Sequence, residues 1–217
     1  MAEEELNHYK TFVEFFESIN HRVIHYKHKG RAWLKVDFFE LAMFNTELSE
    51  VLLEKPEEML EIAQKALKSV EPYDMVIRFF NMPLSQERSP WEIRGEDVDK
   101  FISLKGILNK ISPIVHICTR VKFECPSCGK IVDISQEGEE IKEPHMCACG
   151  RKGKFKVLDQ EFMDAIKLGI IDDLMEEKNK SLGIAKEKIV LLFRDLTHHL
   201  IDRELKVGKK VRINGYF

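Results

Sequence analysis

Four of the five cysteines fall into two tight clusters, Cys125-Pro126-Ser127-Cys128-Gly129 and Cys147-Ala148-Cys149-Gly150, with eighteen residues between them. Two close pairs of thiolates are what a tetrahedral Zn²⁺ needs, and four protein ligands close the coordination sphere. Gly129 and Gly150 follow the clusters, where a turn with positive φ is cheapest. The competing readings are coincidental cysteine clusters or a disulfide pair. Clustered cysteines in a chain with no secretory features point instead to metal. The second cluster is Cys-x-Cys, shorter than the commoner Cys-x2-Cys, so His145 stands as a reserve ligand. With Cys125, Cys128, Cys147 and Cys149 all engaged, the Zn²⁺ is expected to be structural and not catalytic.

Something must hold those clusters. A chain of 217 residues, 44% hydrophobic and 33% charged, can bury one large core or two to three small ones. Its first residues, Met1-Ala2-Glu3-Glu4-Glu5, are acidic and lack an apolar run, and no window approaches eighteen apolar residues. No membrane contact and a cytoplasmic location are expected. Net charge is only −3, but its distribution is uneven. Residues 1–99 hold 12 Lys/Arg against 20 Asp/Glu, a net of −8, while residues 100–217 hold 22 against 17, a net of +5. An acidic module joined to a mildly basic one fits a second half that faces phosphates.

Leu6, Tyr9, Phe12, Val13, Phe16 and Ile19 recur at three- and four-residue spacing, which predicts an amphipathic helix over 5–20. A basic turn ends at Gly30, and a short strand follows over 32–38. Asn45-Thr46 caps a helix running to about Lys55. Pro56 restarts a third, where proline at the first turn loses nothing. Residues 1–74 read as a small acidic helical subdomain. From 75 onward the texture is strand-like: 75–80, 101–108, 115–124, 155–158, 189–193 and 211–217, spaced as in a small barrel. The barrel is assigned to 75–124 and 154–217, with the zinc module, 125–153, inserted between two of its strands.

In this order the residues resemble the N-terminal region of archaeal minichromosome maintenance (MCM) replicative helicases. Val36-Asp37-Phe38, Phe44-Asn45-x-Glu47-Leu48 and Pro56-Glu57-Glu58 resemble the family's helical subdomain. Arg78-Phe79-Phe80-Asn81-Met82-Pro83 resembles the opening of its barrel, and Phe101-Ile102-Ser103-Leu104-Lys105-Gly106-Ile107 the strand after it. Cys149-Gly150-Arg151-Lys152-Gly153-x-Phe155 resembles the exit from its zinc module, and Gly208 to Gly215 the last strand before its ATPase linker. The resemblance implies an α+β, multidomain fold: a helical subdomain, an oligonucleotide-binding (OB) barrel and a zinc-ribbon-like insertion. It also implies a hexamer or double hexamer around single- or double-stranded DNA. The motor that hydrolyses ATP is not expected in this chain, whose eleven glycines include no Gly-x4-Gly-Lys-Ser/Thr loop. The chain reads as an N-terminal portion or a motorless relative.

Two departures from the pattern bear on function. After the zinc module Phe162 and Asp164 match, but Ile166 and Ile171 stand where the family has glutamine, and Asp172 where it has glutamate. The family's Pro-Arg hairpin is replaced by Lys178-Asn179-Lys180-Ser181-Leu182-Gly183-Ile184-Ala185-Lys186-Glu187-Lys188. Its lysines, Lys178, Lys180, Lys186 and Lys188, could meet one phosphate strand through counterion release, without sequence preference; a solvated lysine loop is the alternative. Lys110 lies where the family carries a basic residue on the barrel surface. Arg120 and Lys122 alternate along one strand and share a face.

Other tempting residues have plainer readings. Cys118 is expected as a buried apolar residue, Trp33 and Trp91 as packing residues, and His198-His199 as surface or subunit contacts. Asp172-Asp173 and Glu176-Glu177 read as a solvated acidic turn. The leading expectation is therefore a non-catalytic, DNA-binding, ring-assembling region of a replication helicase. A free-standing zinc-ribbon/OB factor of transcription or translation is the alternative, though it has no reason to carry residues 1–70. A catalytic zinc enzyme is disfavoured by four-thiolate ligation.

Overall fold

The computed structural model describes residues 2–136, 141–173, 187–197 and 205–216. The chain divides into two compact units, one of residues 1–109, 170–188 and 208–217 and the other of residues 110–169 and 189–207.

The first unit opens with helices α1 (Ala2–Ser18) and α2 (Asn20–His28), then strand β1 (Trp33–Asp37), helices α3 (Phe38–Phe44), α4 (Thr46–Glu54) and α5 (Pro56–Val70), and strand β2 (Val76–Phe80). The apolar stripe expected in α1 is buried at Phe12 and Phe16, with Phe15, outside that stripe, buried beside them, while Leu6 at its start is exposed. It packs on α5, whose Met59, Ile62, Ala63, Ala66 and Leu67 repeat at helical spacing and are all buried. Helix starts are chemically marked. The Asn45 carboxamide accepts from the Leu48 amide at 2.8 Å, the Asp37 carboxylate accepts from the Phe39 amide at 2.9 Å, and Pro56 opens α5.

One pairing differs from the barrel assignment of residues 75–80. Strand β2 runs parallel to β1, with Trp33 opposite Val76 and Asp37 opposite Phe80. Its inward residues Ile77 and Phe79 complete the same core as Phe12, Leu34 and Leu67. Alternation marks a strand but carries no information on which neighbour it joins. Trp33 packs as expected, its ring 5.3 Å from that of Tyr26.

The remaining strands are β3 (Glu87–Arg88), β4 (Phe101–Ile111), β5 (Val115–Glu124), β6 (Ile131–Ser135), β7 (Lys156–Ile171), β8 (Lys188–Phe193) and β9 (Lys210–Tyr216). They join in the order β3-β4-β7-β5-β6, with β8 on β7 and β9 on β4, an OB-like curled sheet. Within the first unit β4 and β9 are antiparallel, from Phe101 opposite Tyr216 to Ile107 opposite Lys210. Gly106 lies where this sheet is tightest. A Cβ there would sit 2.5 Å from the Ile171 carbonyl oxygen and 2.6 Å from the Ile170 Cγ2. The isoleucine methyl can rotate away, but the carbonyl is fixed by its strand. Gly106→Ala is expected to cost about 1–3 kcal/mol. In a chain of this length that lowers the thermal midpoint by about 2–4 °C per kcal/mol, which a melting curve would read.

A buried carboxylate anchors the loop ahead of β4. Asp97, 2% exposed, accepts from Arg88 Nε at 3.0 Å and from the Arg94 amide at 2.9 Å. Burial pushes its carboxyl up, but the Arg94 amide and the Arg88 guanidinium outweigh that and hold it below the usual carboxylate range. Its stabilising contribution is therefore complete above the unfolded pKa of about 4 and fades as pH falls through the lower folded value. Asp97→Asn should destabilise the chain at pH 7 by about 1.5–3 kcal/mol. Denaturant titrations at pH 7 and pH 3 would show the gap between wild type and variant closing in acid.

Asp172-Asp173, expected as a solvated turn, are instead buried, at 5% and 9% exposure. Asp172 accepts from the Trp91 amide at 3.2 Å, and Asp173 pairs with Lys210. Partners supplied from distant segments offset the cost of burial here. Glu176-Glu177 lie outside the described residues.

In the second unit β5 is the centre of an antiparallel trio. It meets β6 from Arg120 opposite Ser135 to Glu124 opposite Ile131, and β7 from Val115 opposite Ala165 to Glu124 opposite Lys156. Only 155–158 of β7 was legible as strand. Its next residues, Asp159-Gln160-Glu161, are polar on both faces and give no alternating signal.

Candidate metal centre and nucleic-acid interface

Strands β5 and β6 are joined by the first cysteine cluster, and the second cluster lies between β6 and β7. Each is a closed knuckle. In the first, the Cys125 amide donates to the Lys130 carbonyl at 2.9 Å and the Gly129 amide to the Cys125 carbonyl at 2.8 Å. In the second, the Cys147 amide donates to the Arg151 carbonyl and the Gly150 amide to the Cys147 carbonyl, both at 2.9 Å. The second loop is one residue shorter, as Cys-x-Cys requires. Gly129 and Gly150 take φ of +70° and +86°, the left-handed turn expected of them. Arg151 Nη1 donates to Ser127 Oγ at 2.9 Å and ties one knuckle to the other, a contact with no sequence signature.

The four sulfurs converge, all within 4.8 Å of one another. Cys125 and Cys149 are 3.7 Å apart and Cys128 and Cys147 3.6 Å. A disulfide would need about 2.05 Å. A ZnS₄ tetrahedron with bonds of about 2.3 Å has edges of about 3.8 Å, so the donor set fits that ion in both chemistry and spacing. Among the described residues no other group of His, Cys, Asp or Glu is gathered this way, and His145 is exposed and outside the set. Cys125 and Cys147 are buried in a small core with Val121, Phe123 and Phe155. Cys118, in β5, is only half-buried at the edge of that core.

The sulfurs hold their protons unequally. Burial pushes the Cys125 thiol up, but the Ser127 and Cys128 amides and the Cys128 and Cys147 thiols donate to it and bring it down to about 6. At Cys128 the Lys130 amide favours the thiolate, yet hydrogen bonds its thiol makes to Cys149 and Cys147 hold it up to about 12. A divalent ion at the centre would take the place of the shared protons and favour all four thiolates.

The basic candidates separate into three groups. Arg120 and Lys122 share a face of β5, but each has a carboxylate from a neighbouring strand. Arg120 Nε is 3.7 Å from Asp133, and Lys122 Nζ is 3.3 Å from Asp159. Both side chains remain more than a third exposed, so these pairs are weak and a phosphate could compete with them. Lys110 is exposed near the end of β4. Of the four hairpin lysines only Lys188 is described; it is half-buried at the start of β8. Lys178, Lys180 and Lys186 lie outside the described residues, as do His198-His199. No described helix is long and apolar enough to cross a membrane.

A helical domain leading into an OB-like sheet with a paired-knuckle thiol site defines a class of protein, and the comparisons place the chain within it. The MCM N-terminal domain profile matches residues 7–96, and the MCM OB domain profile matches residues 90–217. The chain belongs to the MCM family. It is 25% identical over 187 residues to the DNA replication licensing factor Mcm5 of Drosophila melanogaster, covering 75% of this chain and 26% of that one. With the licensing factor mcm4 of Schizosaccharomyces pombe it shares 24% over 169 residues, 75% of this chain and 17% of that one. The chain thus spans about a quarter or less of the curated relatives it matches. The crystal structure of the N-terminal domain of an archaeal MCM has the same fold, with a TM-score of 0.67 at 20% identity over 98% of this chain and 88% of that one.

Proposed function

We propose that this chain is the DNA-binding, ring-assembling N-terminal region of a replication helicase, stiffened by one structural Zn²⁺ per chain. The observation that carries the reading is the run of two MCM domains, in family order, across residues 7–217. Cys125, Cys128, Cys147 and Cys149 would hold the zinc, supplying fixed geometry and no open coordination position. A zinc held there would tie the two knuckles to the small β core of Val121, Phe123 and Phe155. The helical base takes residues 1–80, since β2 completes its core, the OB barrel follows to 124 and resumes over 154–217, and 125–153 form the zinc module. The lysines of 178–188, with Lys110, Arg120 and Lys122 in support, would meet the DNA backbone, consistent with the net +5 of residues 100–217. The assembled form is a hexamer or double hexamer, and the eleven glycines of these 217 residues form no Gly-x4-Gly-Lys-Ser/Thr loop for ATP.

Light scattering tests assembly and fluorescence anisotropy tests DNA binding. The expected result is a six- or twelve-chain particle that binds labelled oligonucleotides without sequence preference. A strictly monomeric chain that binds neither single- nor double-stranded DNA at 50 mM salt would overturn it.

A further inference from the structure

The helical subdomain is acidic, yet its charge is sharply segregated. Residues 18–36 contain no carboxylate, five Lys/Arg (Arg22, Lys27, Lys29, Arg31 and Lys35) and three histidines. All 20 carboxylates of residues 1–99 lie outside this run. The run goes from the end of α1 through α2 and the turn that follows it into β1, which carries Lys35. His21, His25 and His28 fall at positions i, i+4 and i+7, on one side of the helix, and all three are exposed, while Val23 is buried.

The groups around this face are accounted for. Of the neighbouring carboxylates, Glu40 at α3 binds Arg22 through both oxygens and Glu71 after α5 binds Lys27 at 2.8 Å. Asp37 on β1 accepts from Phe39 and Asn81. Helix α1 carries His8, Lys10, Glu14 and Glu17, and β1 carries Lys35, which sits over the Phe80 ring at 4.1 Å. Beyond the histidines the turn is rigidly built. The Gly30 amide donates to Lys27 at 2.8 Å and the Arg31 amide to Tyr26 at 3.1 Å, and Arg31 lies 4.6 Å over the Trp33 ring. Lys29 and Arg31 are thereby displayed at the end of the histidine row.

We propose that the exposed face of α2 is a second, proton-dependent contact for the phosphate backbone of nucleic acid. Imidazole is the side chain whose ordinary titration falls between pH 5 and 8. Three imidazoles in line with Lys29 and Arg31 put five basic side chains along one stretch of surface. At 1.5 Å per residue, His21 to His28 spans about 10 Å, the axial rise of about three phosphates along one duplex strand. Cationic groups at the C-terminal turn are also favoured by the helix dipole. The contact is independent of the lysine hairpin, so failure of one leaves the other standing.

The test is fluorescence anisotropy with a labelled duplex at pH 5.8 and pH 7.8 across a salt series. It compares the 217-residue chain with the combined variant His21→Gln, His25→Gln, His28→Gln, each also with the hairpin lysines neutralised. Wild type should bind about tenfold tighter at pH 5.8 in 50 mM salt, with a log–log salt slope steeper by up to about 2.7 per chain. The triple variant should lose that gain and match wild type at pH 7.8, in both hairpin backgrounds. A pH response retained in the triple variant would assign it to His8, His116, His145, His198 or His199 and overturn the proposal. So would competition by polyglutamate as strong as by unlabelled duplex, which would make the face a site for acidic peptides.

Discussion

Replacing Cys147 with serine should strip the chain of zinc and unfold the knuckle module while leaving the helical core intact. Cys147 is 1% exposed and belongs to the same small cluster as Val121, Phe123, Cys125 and Phe155. Five side chains cannot by themselves hold a 29-residue insertion, so ligation must carry the folding free energy of the module. Structural zinc in small peptides contributes about 10–16 kcal/mol, so loss of one thiolate should leave residues 125–153 open to proteolysis. The helical core, built on Phe12, Phe16 and Leu67, shares no residue with that cluster and should keep its hydrogen-exchange protection. Elemental analysis gives the zinc content, and limited proteolysis locates the damage. Native protein without metal would refute the assignment. Zinc retained by Cys149→Ser would instead promote His145 to fourth ligand.

The second large effect concerns DNA. Neutralising Lys178, Lys180, Lys186 and Lys188 together should weaken binding on the order of a hundredfold at 0.1 M salt. For every phosphate that a lysine no longer neutralises, the slope of log affinity against log salt should flatten by about 0.7–0.9. A ring multiplies weak interactions through effective concentration, so the deficit should deepen whenever subunits assemble. The hairpin is singled out because Arg120 and Lys122 already face Asp133 and Asp159, which compete with any phosphate. Anisotropy with single- and double-stranded oligonucleotides reads the slope. An unchanged slope would make the hairpin a solvated loop and turn attention to Lys110, Arg120 and Lys122.

The thiol site was legible from sequence because ligation is local chemistry. A Cys-x2-Cys or Cys-x-Cys turn already places two sulfurs together, and a glycine after it closes the loop. The long helices were legible for a related reason: α1 and α5 repeat apolar residues at the period their burial demands. Short α3 was not, since seven residues hold too few turns for a period to show, and its start is marked chiefly by the Asp37 cap. Strand β6 was missed because five residues, Ile131 to Ser135, are too short a run to show a period. In β7, residues 159–164 are wet on both faces and leave no alternation, while Ala165, Ile166, Leu168 and Ile170 are buried in a nearly continuous apolar run that does not alternate either.

What sequence alone determined was therefore the set of local commitments: where chain reversals fall, which thiols pair off, which helices have an apolar stripe, and which half is basic. Tertiary structure alone decided the rest. It placed β2 beside β1, because Ile77 and Phe79 complete a core begun by residues far earlier in the chain. It buried Asp172 and Asp173 against Trp91 and Lys210, residues with no local relation to them. It set Arg120 and Lys122 beside carboxylates from other strands. Spacing is encoded along the chain, but a partner is chosen by what must be covered and what must be neutralised, and both depend on segments that meet only when the chain folds.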